Sequence, residues 1–432
     1  MIKTFHDTLS TLLPIPPMMI KNLNQCRVCN SKRLHRFLHF PLMPLTDDFL
    51  LLDRLGSEFL HDINVFVCSD CYTCQTQHNV DMGDYYQDYQ YAVGASPTAN
   101  RFMRILSQNL LTKFFPNRGA LKVIEVGSGD GEQLLAFKDL GCNVIGFEPS
   151  LVLSRIADQK GIPTIQGLFT KESVHDLPSY WQQVDVVMLS YTFDHLPNPR
   201  EFITAVKQIL DHKSSLLVVE VHNLQRIFER REYCLFEHEH TIYLTQATAV
   251  SLFEREGMTV LDFDILPEVD RRANSLIFVV APKGSELAQT YGAAQVNTPF
   301  AYKDERFYDE QSALIQLAIA NLDAFVSKIT NSGKTIAGYG AGGRGVMTLA
   351  AMNNAHKLLY LVDKKPKSEN RYVPKSRLRL VGLDALSEQP VDEILVFSFG
   401  YMKEIQVELA DFGYKPEQLH SLLDVLGDRA RY

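Results

Sequence analysis

The chain lacks any apolar run near the eighteen or more residues that a membrane-spanning helix needs. It also lacks an excess of basic charge. Its 432 residues include 43 lysines and arginines against 51 aspartates and glutamates, a formal net charge of −8. Binding a phosphate backbone takes a concentrated positive face, so a general nucleic-acid binder is excluded, although a local pocket for one phosphate group is not. The first residues, MIKTFHDTLSTLLPIPPMMIKNLNQ, contain His6, Asp7 and three prolines and offer no small-residue cleavage site, which is unlike a secretory leader. Cysteine is scarce and uneven: there are seven, an odd number, with five between positions 26 and 74. A secreted disulfide scaffold has a different pattern. These absences predict a cytoplasmic protein without a membrane or nucleic-acid partner. The length allows two or three domains.

Of what is present, the cysteines come first. CRVC (26–29) and CSDCYTC (68–74) supply two pairs at CxxC spacing. Two intervening residues let both sulfurs of a pair reach one tetrahedral ion, and two such knuckles complete a four-thiolate zinc site. The predicted ligands are Cys26, Cys29, Cys68 and Cys71, with Cys74 as a fifth candidate. Four thiolates leave no open position, so the metal is expected to be structural. The intervening FPLMPLTDDFLLLDRLG is expected to loop out between the knuckles.

ALKVIEVGSGDGEQLLAFKDLGCNVIGFEPS (120–150) has the pattern strand, glycine turn, helix, strand. Gly127, Gly129 and Gly131 follow the apolar strand, and Glu148 closes the next strand, where an acid can bind both hydroxyls of a ribose. The spacing E-x-G-x-G-x-G resembles motif I of class I S-adenosylmethionine-dependent methyltransferases. That resemblance implies that Glu125, Gly127 and Gly129 face the methionine part and Glu148 the ribose, with Ser128, Pro149 and Ser190 as further cofactor contacts. VDVVMLSYTFDHLPNPREFI (184–203) and SSLLVVEVHN (214–223) supply later strands. In the family, the loop after the first of these carries N-x-x-x-H at the cofactor edge. Here His195 is kept and the asparagine is absent, and a satisfied loop histidine is an equal reading.

A second glycine turn lies in GKTIAGYGAGGRGVMTLAAMNNAHKLLYLVDKKP (333–366). Gly338, Gly340 and Gly343 satisfy G-x-G-x-x-G, and Asp363 ends the following strand. On spacing alone this is a dinucleotide fingerprint and supports a rival NAD-linked sugar enzyme. The residues that follow offer at most two more clear strands, LRLVG and EILVFSF, enough for one nucleotide. Arg344, at the start of the next helix, suits a diphosphate.

The densest polar cluster is LFEHEHTIYLT (235–245). A metalloprotease HExxH is excluded, because Ile242 stands where the second histidine would be. A His238/His240 metal pair and a solvated charged loop are the other readings of the residues alone.

Taken in order, these pieces resemble the three-part sugar C-methyltransferases that act on nucleotide-linked deoxy-keto sugars. The likeness runs from about residue 24 to the end: CRVC…PLTDDFL…CSDC, YQDYQYAVGASP (86–97), GYGAGGRG and VDKKP…RYVP (362–374). It implies an α/β protein in four parts: a tail (1–22), a zinc-binding module (23–80), a class I methyltransferase core (81–282) and a C-terminal Rossmann-like half domain (283–432). The family carries Y-H-E-H followed by an aromatic, which here aligns with Glu237, His238, Glu239 and His240, then Tyr243. By resemblance His240 is the general base, with Glu239 and His238 beside it. Tyr91 is a catalytic aromatic, and Tyr89 and Ser96 lie near the cofactor. Glu237, Tyr243, Tyr339, Gly340, Arg344 and Arg371 are the implied substrate contacts. The cofactors are S-adenosylmethionine and structural zinc, and the expected assembly is a monomer or homodimer.

Three departures from the family stand out. Glu237 replaces a tyrosine, DRRANSLIF (270–278) replaces a segment usually reading H-G-G-S-L-R, and FSFGY (397–401) replaces a W-N pair. They are expected to bear on the substrate rather than the cofactor, and they leave O-methylation of a related molecule open.

Overall fold

The computed structural model describes residues 19–81, 86–87, 94, 96–175, 177–272, 274–364 and 371–427. Its centre is a seven-stranded sheet in the order Met258–Phe263, Ser275–Pro282, Leu216–His222, Val186–Ser190, Lys122–Val126, Asn143–Glu148, Thr164–Gln166. Ser275–Pro282 runs antiparallel to both neighbours, and the pairs from Leu216–His222 to Thr164–Gln166 are parallel. This order, with the last strand inserted in reverse next to the edge, is the class I methyltransferase sheet. The inner strands are continuous apolar runs, VVML and LLVV, because helices cover both faces and every side chain is buried. Strand order reverses between Lys122–Val126 and Val186–Ser190, so a crevice opens there at the carboxyl ends of the strands. The first glycine turn leads directly into it.

The amino-terminal module is a four-stranded antiparallel sheet of Leu34–Pro44, Leu60–Cys68, Cys74–Thr76 and Ile242–Tyr243. Its last strand belongs to the methyltransferase segment and begins two residues after His240. The segment expected to loop out does not simply do so. Its FPLMP portion extends the long hairpin, and Leu50–Leu51 joins the edge of the C-terminal sheet beside Arg371–Tyr372. Burial of Leu50 explains the difference: a leucine-rich insertion gains more as a paired edge strand than as a solvated loop.

The C-terminal sheet has the order Leu419–Ser421, Glu393–Val396, Ile336–Tyr339, Leu361–Val362, Arg379–Val381, Arg371–Tyr372, Leu50–Leu51. Its first five strands are parallel. It therefore has more strands than the sequence suggested: Leu419–Ser421 and Arg371–Tyr372 are too short to show periodicity, and Leu50–Leu51 comes from another segment. The helix Glu305–Asn331 meets the length and hydropathy of a bilayer span, but Ile315, Leu322 and Val326 are buried in the core between this domain and the zinc module.

Candidate active site

The two cysteine knuckles fold alike. Asn30 N–H bonds the Cys26 carbonyl and Tyr72 N–H the Cys68 carbonyl, with Asn30 and Tyr72 each at a left-handed φ of about 60°. The sulfurs converge: Cys26 to Cys71 and Cys29 to Cys68 are both 3.5 Å, and all four lie within 4.8 Å of one another. Tetrahedral zinc with bonds of about 2.3 Å needs sulfurs about 3.8 Å apart, so the set fits a structural zinc ion. Cys74 is not a ligand. It sits in the strand paired with Ile242–Tyr243, and its side chain points into the apolar core. Arg27, between the first two ligands, donates to the carbonyls of Thr76, His78 and Pro197 and so ties the knuckle to the loop after His195.

At the first glycine turn, Gly127 has φ +70°, and a Cβ there would lie 2.3 Å from Thr192 Oγ1. The loop carrying His195 is therefore pressed against the turn. Glu148 accepts the Gly129 N–H through Oε2 (2.8 Å) and the Ser150 N–H through Oε1 (2.7 Å), which fixes the carboxylate at the crevice. Among the described residues, four buried atoms around the turn have no hydrogen-bond partner: Glu125 Oε2, Ser128 Oγ, Asp130 Oδ1 and Ser190 Oγ. Buried polar atoms are rarely left so, and a polar ligand would satisfy them. The residues fit S-adenosylmethionine. Pro149, half-buried, follows Glu148 into the next helix. Ser96 caps the helix Pro97–Phe114 by accepting the Ala99 N–H. Tyr89 and Tyr91 lie outside the described residues. From the same stretch, Tyr86 does reach the site, with its hydroxyl 3.0 Å from His195 Nδ1.

The EHEH cluster is wholly buried, and its four side chains take four directions. Glu237 lies over the second glycine turn, close enough that a Cβ on Gly343 would be 2.8 Å from its Oε1. Burial lifts its pKa to about 7, aided by Glu239 and opposed by His240 and Arg344. His238 turns away from His240. Its Nε2–H donates to the Met43 carbonyl (2.9 Å), and its Nδ1 accepts from His78 Nε2 (2.8 Å), so both nitrogens are spent on the zinc module. Burial holds His238 near 4. The expected place for His238 beside the base is thus corrected. Glu239 accepts from the Thr46 hydroxyl (2.9 Å) and stands 3.8 Å from His195 Nδ1.

His240 enters the crevice. Its Nδ1 is 2.7 Å from the Leu235 carbonyl, which can only accept, so Nδ1 carries the proton and Nε2 keeps its lone pair. Its ring is 4.8 Å from that of His195 and 4.7 Å from that of His222. Burial opposes the imidazolium, but the Glu237, Asp194 and Glu239 carboxylates and the Leu235 carbonyl outweigh it and raise its pKa. On either side, Thr76 Oγ1 bonds the His240 carbonyl and Thr241 N–H bonds the Asp194 carbonyl, which fixes the backbone.

Sequence reasoning missed Asp194 and His222. His222 Nδ1 is 2.8 Å from Asp194 Oδ2. Burial alone would raise Asp194, but the bond to His222 and the other histidines pull it below the usual carboxylate range. Burial lowers His222 to about 4 and His195 to about 3. Their sequence signal was position, since His222 ends one central strand and Asp194 lies in the turn that follows its neighbour.

The remaining expected substrate contacts divide. Arg344 opens the helix after the second glycine turn: its guanidinium covers the Phe399 ring at 5.2 Å, with Nε 3.7 Å from Glu232. Gly340, at φ +102°, would put a Cβ 2.3 Å from Ser398 Oγ, and Asp363 accepts the adjacent Ala341 N–H (2.9 Å). Tyr339 spends its hydroxyl on Glu408, and Arg371 donates to the Phe49 carbonyl at the edge-strand junction. Tyr243 is fully buried, its ring 4.8 Å from Phe236 and 6.2 Å from His240. It lines the wall behind the base.

Three family models match the chain in succession. They are described as "Putative zinc binding domain" (residues 26–86), "Methyltransferase domain" (99–262) and "C-methyltransferase C-terminal domain" (287–418). C-methyltransferase NovU from Streptomyces niveus is 25% identical over 90% of this chain and 92% of its own length. An uncharacterized methyltransferase from Bacillus pumilus is 30% identical over 25% of this chain and 47% of its own length. The solved structure of PH0226 from Pyrococcus horikoshii is 18% identical, covering 46% of this chain and 99% of that one at a TM-score of 0.36. The second glycine turn lies inside the segment that matches the C-methyltransferase C-terminal domain. Strand order, zinc ligands and the succession of three segments leave one assignment: the chain belongs to the S-adenosylmethionine-dependent C-methyltransferases built from a zinc-binding module, a class I methyltransferase core and a Rossmann-like C-terminal domain.

Proposed function

We propose that the protein moves a methyl group from S-adenosylmethionine to C3 of a nucleotide-linked 4-keto-deoxy sugar, with His240 as general base. The observation that carries this reading is the commitment of His240 Nδ1 to the Leu235 carbonyl, which leaves Nε2 as the proton acceptor inside a buried pocket. A carbon bearing only a hydroxyl is not a nucleophile, whereas a proton beside a ketone is acidic enough for an imidazole to take. The carboxylates of Glu237, Asp194 and Glu239 favour the imidazolium formed when Nε2 takes that proton. Bound S-adenosylmethionine supplies an electrophilic sulfonium methyl. The pocket holds the donor and the carbon acid in line and excludes water. The second glycine turn, the amino end of the helix Gly343–Ala351 and Arg344 suit the diphosphate of the nucleotide. The module segments 23–80, 81–282 and 283–432 would then supply zinc scaffold, chemistry and nucleotide grip respectively.

His240→Gln tests the reading with a TDP- or UDP-linked 4-keto-6-deoxyhexose in deuterium oxide. The variant should bind S-adenosylhomocysteine like the wild type, while deuterium incorporation at C3 and methyl transfer fall by about 100- to 10,000-fold. Undiminished exchange and turnover in the variant remove His240 from the base role.

A further inference from the structure

Arg272 belongs to DRRANSLIF, the segment that departs from the family and was expected to concern the substrate. Its side chain is only 16% exposed. The guanidinium lies over the Phe102 ring at 4.6 Å and the Tyr191 ring at 5.6 Å, with Nη1 3.5 Å from Glu220 Oε2. Its Nε is buried without a hydrogen-bond partner among the described residues. Tyr191, a non-glycine residue at φ +50°, precedes Thr192, whose side chain abuts Gly127. Arg272 is therefore joined to the glycine turn through one ring and one peptide.

The sheet register places what lies beneath it. Met188 pairs with Glu125 and Ser190 with Glu220 in parallel strands, so Glu125, Ser190 and Glu220 project from one face at the carboxyl edge. Ser275 Oγ donates to Glu220 Oε1, which holds that carboxylate in place. Glu125 Oε2 and Ser190 Oγ are buried without partners. One guanidinium and two carboxyl groups thus face the end of the glycine turn, and among the described residues Glu125 Oε2, Glu220 Oε2 and Arg272 Nε lack a hydrogen-bond partner. The methionyl tail of the cofactor carries the complementary pair, a carboxylate and an ammonium.

We propose that Arg272 binds the α-carboxylate of S-adenosylmethionine, with Glu220 and the Phe102 and Tyr191 rings holding the guanidinium in position and Glu125 facing the ammonium. Arg272 is then a cofactor ligand recruited from the loop before the reversed strand, and the departure at 270–278 concerns the methyl donor. A purely structural role, neutralising Glu220 and Glu125, is the alternative.

Calorimetric titration with S-adenosylhomocysteine and with its decarboxylated counterpart, which keeps the adenosine, thioether and ammonium, separates the two. The wild type should bind the intact ligand about 10- to 100-fold more tightly, and Arg272→Gln should abolish that preference. If the single variant does not fold, Arg272→Gln with Glu220→Gln removes both buried charges and should show the same loss. A wild type indifferent to the carboxylate, or a folded variant that keeps the full preference, overturns the proposal.

Discussion

Gly127→Ala tests whether the loop carrying His195 is pressed against the cofactor turn. The residue sits at φ +70°, where an alanine costs about 1–2 kcal/mol. The added Cβ would also stand 2.3 Å from Thr192 Oγ1 and 3.0 Å from its Cγ2, and relieving that overlap in a packed site costs about 1–3 kcal/mol more. The combined perturbation is about 2–5 kcal/mol, or roughly thirtyfold to several thousandfold in S-adenosylhomocysteine affinity if the turn gives way while the sheet holds. Thr192→Ala separates the two parts, because it deletes Oγ1 and Cγ2 and leaves only the Thr192 Cβ, 3.2 Å away. Gly127→Ala with Thr192→Ala should therefore recover the steric share, about five- to 150-fold, but not the backbone share. Calorimetric titration of the wild type, both single variants and the double variant gives the coupling directly. Additive effects would mean that the two loops do not touch, and the crevice described above would be wrong.

Two further outcomes are expected. As a base, His240 must be unprotonated, so kcat/KM should fall as pH drops through a pKa above the ordinary histidine value. Glu237→Gln removes the strongest of the groups raising that pKa and should move the acid limb of the kcat/KM profile to lower pH; a limb that stays put or moves upward contradicts the assignment. Stripping zinc with a chelator should unfold the amino-terminal module, since structural zinc contributes about 10–16 kcal/mol against a net stability of about 5–15 kcal/mol. Methyl transfer should fail with it, because Thr46, His78 and Thr76 brace the 238–240 segment; a metal-free protein with unchanged melting and turnover would refute this dependence.

Several features were legible in the sequence because they are local. The CxxC pairs, the two glycine turns with an acid at the end of the next strand, and the apolar strands between them depend on spacing of a few residues. Backbone geometry turns such spacing into shape without help from distant parts of the chain. His240 stood out for the same reason, inside a run of charges flanked by aromatics.

What spacing could not decide was direction and partnership. Glu237, His238, Glu239 and His240 are consecutive, yet they face the second glycine turn, the zinc module, the His195 loop and the cofactor crevice in turn. Their backbone is irregular, so no period of two or of 3.6 applies. Asp194 and His222 are 28 residues apart and meet only because neighbouring parallel strands end at the same edge. The sequence by itself determined which chemical groups the protein carries and the local turns that hold zinc and cofactor. Only the tertiary structure decided which imidazoles gather at the cofactor crevice and which carboxylates surround His240, since burial and hydrogen bonding come from segments far apart in the chain.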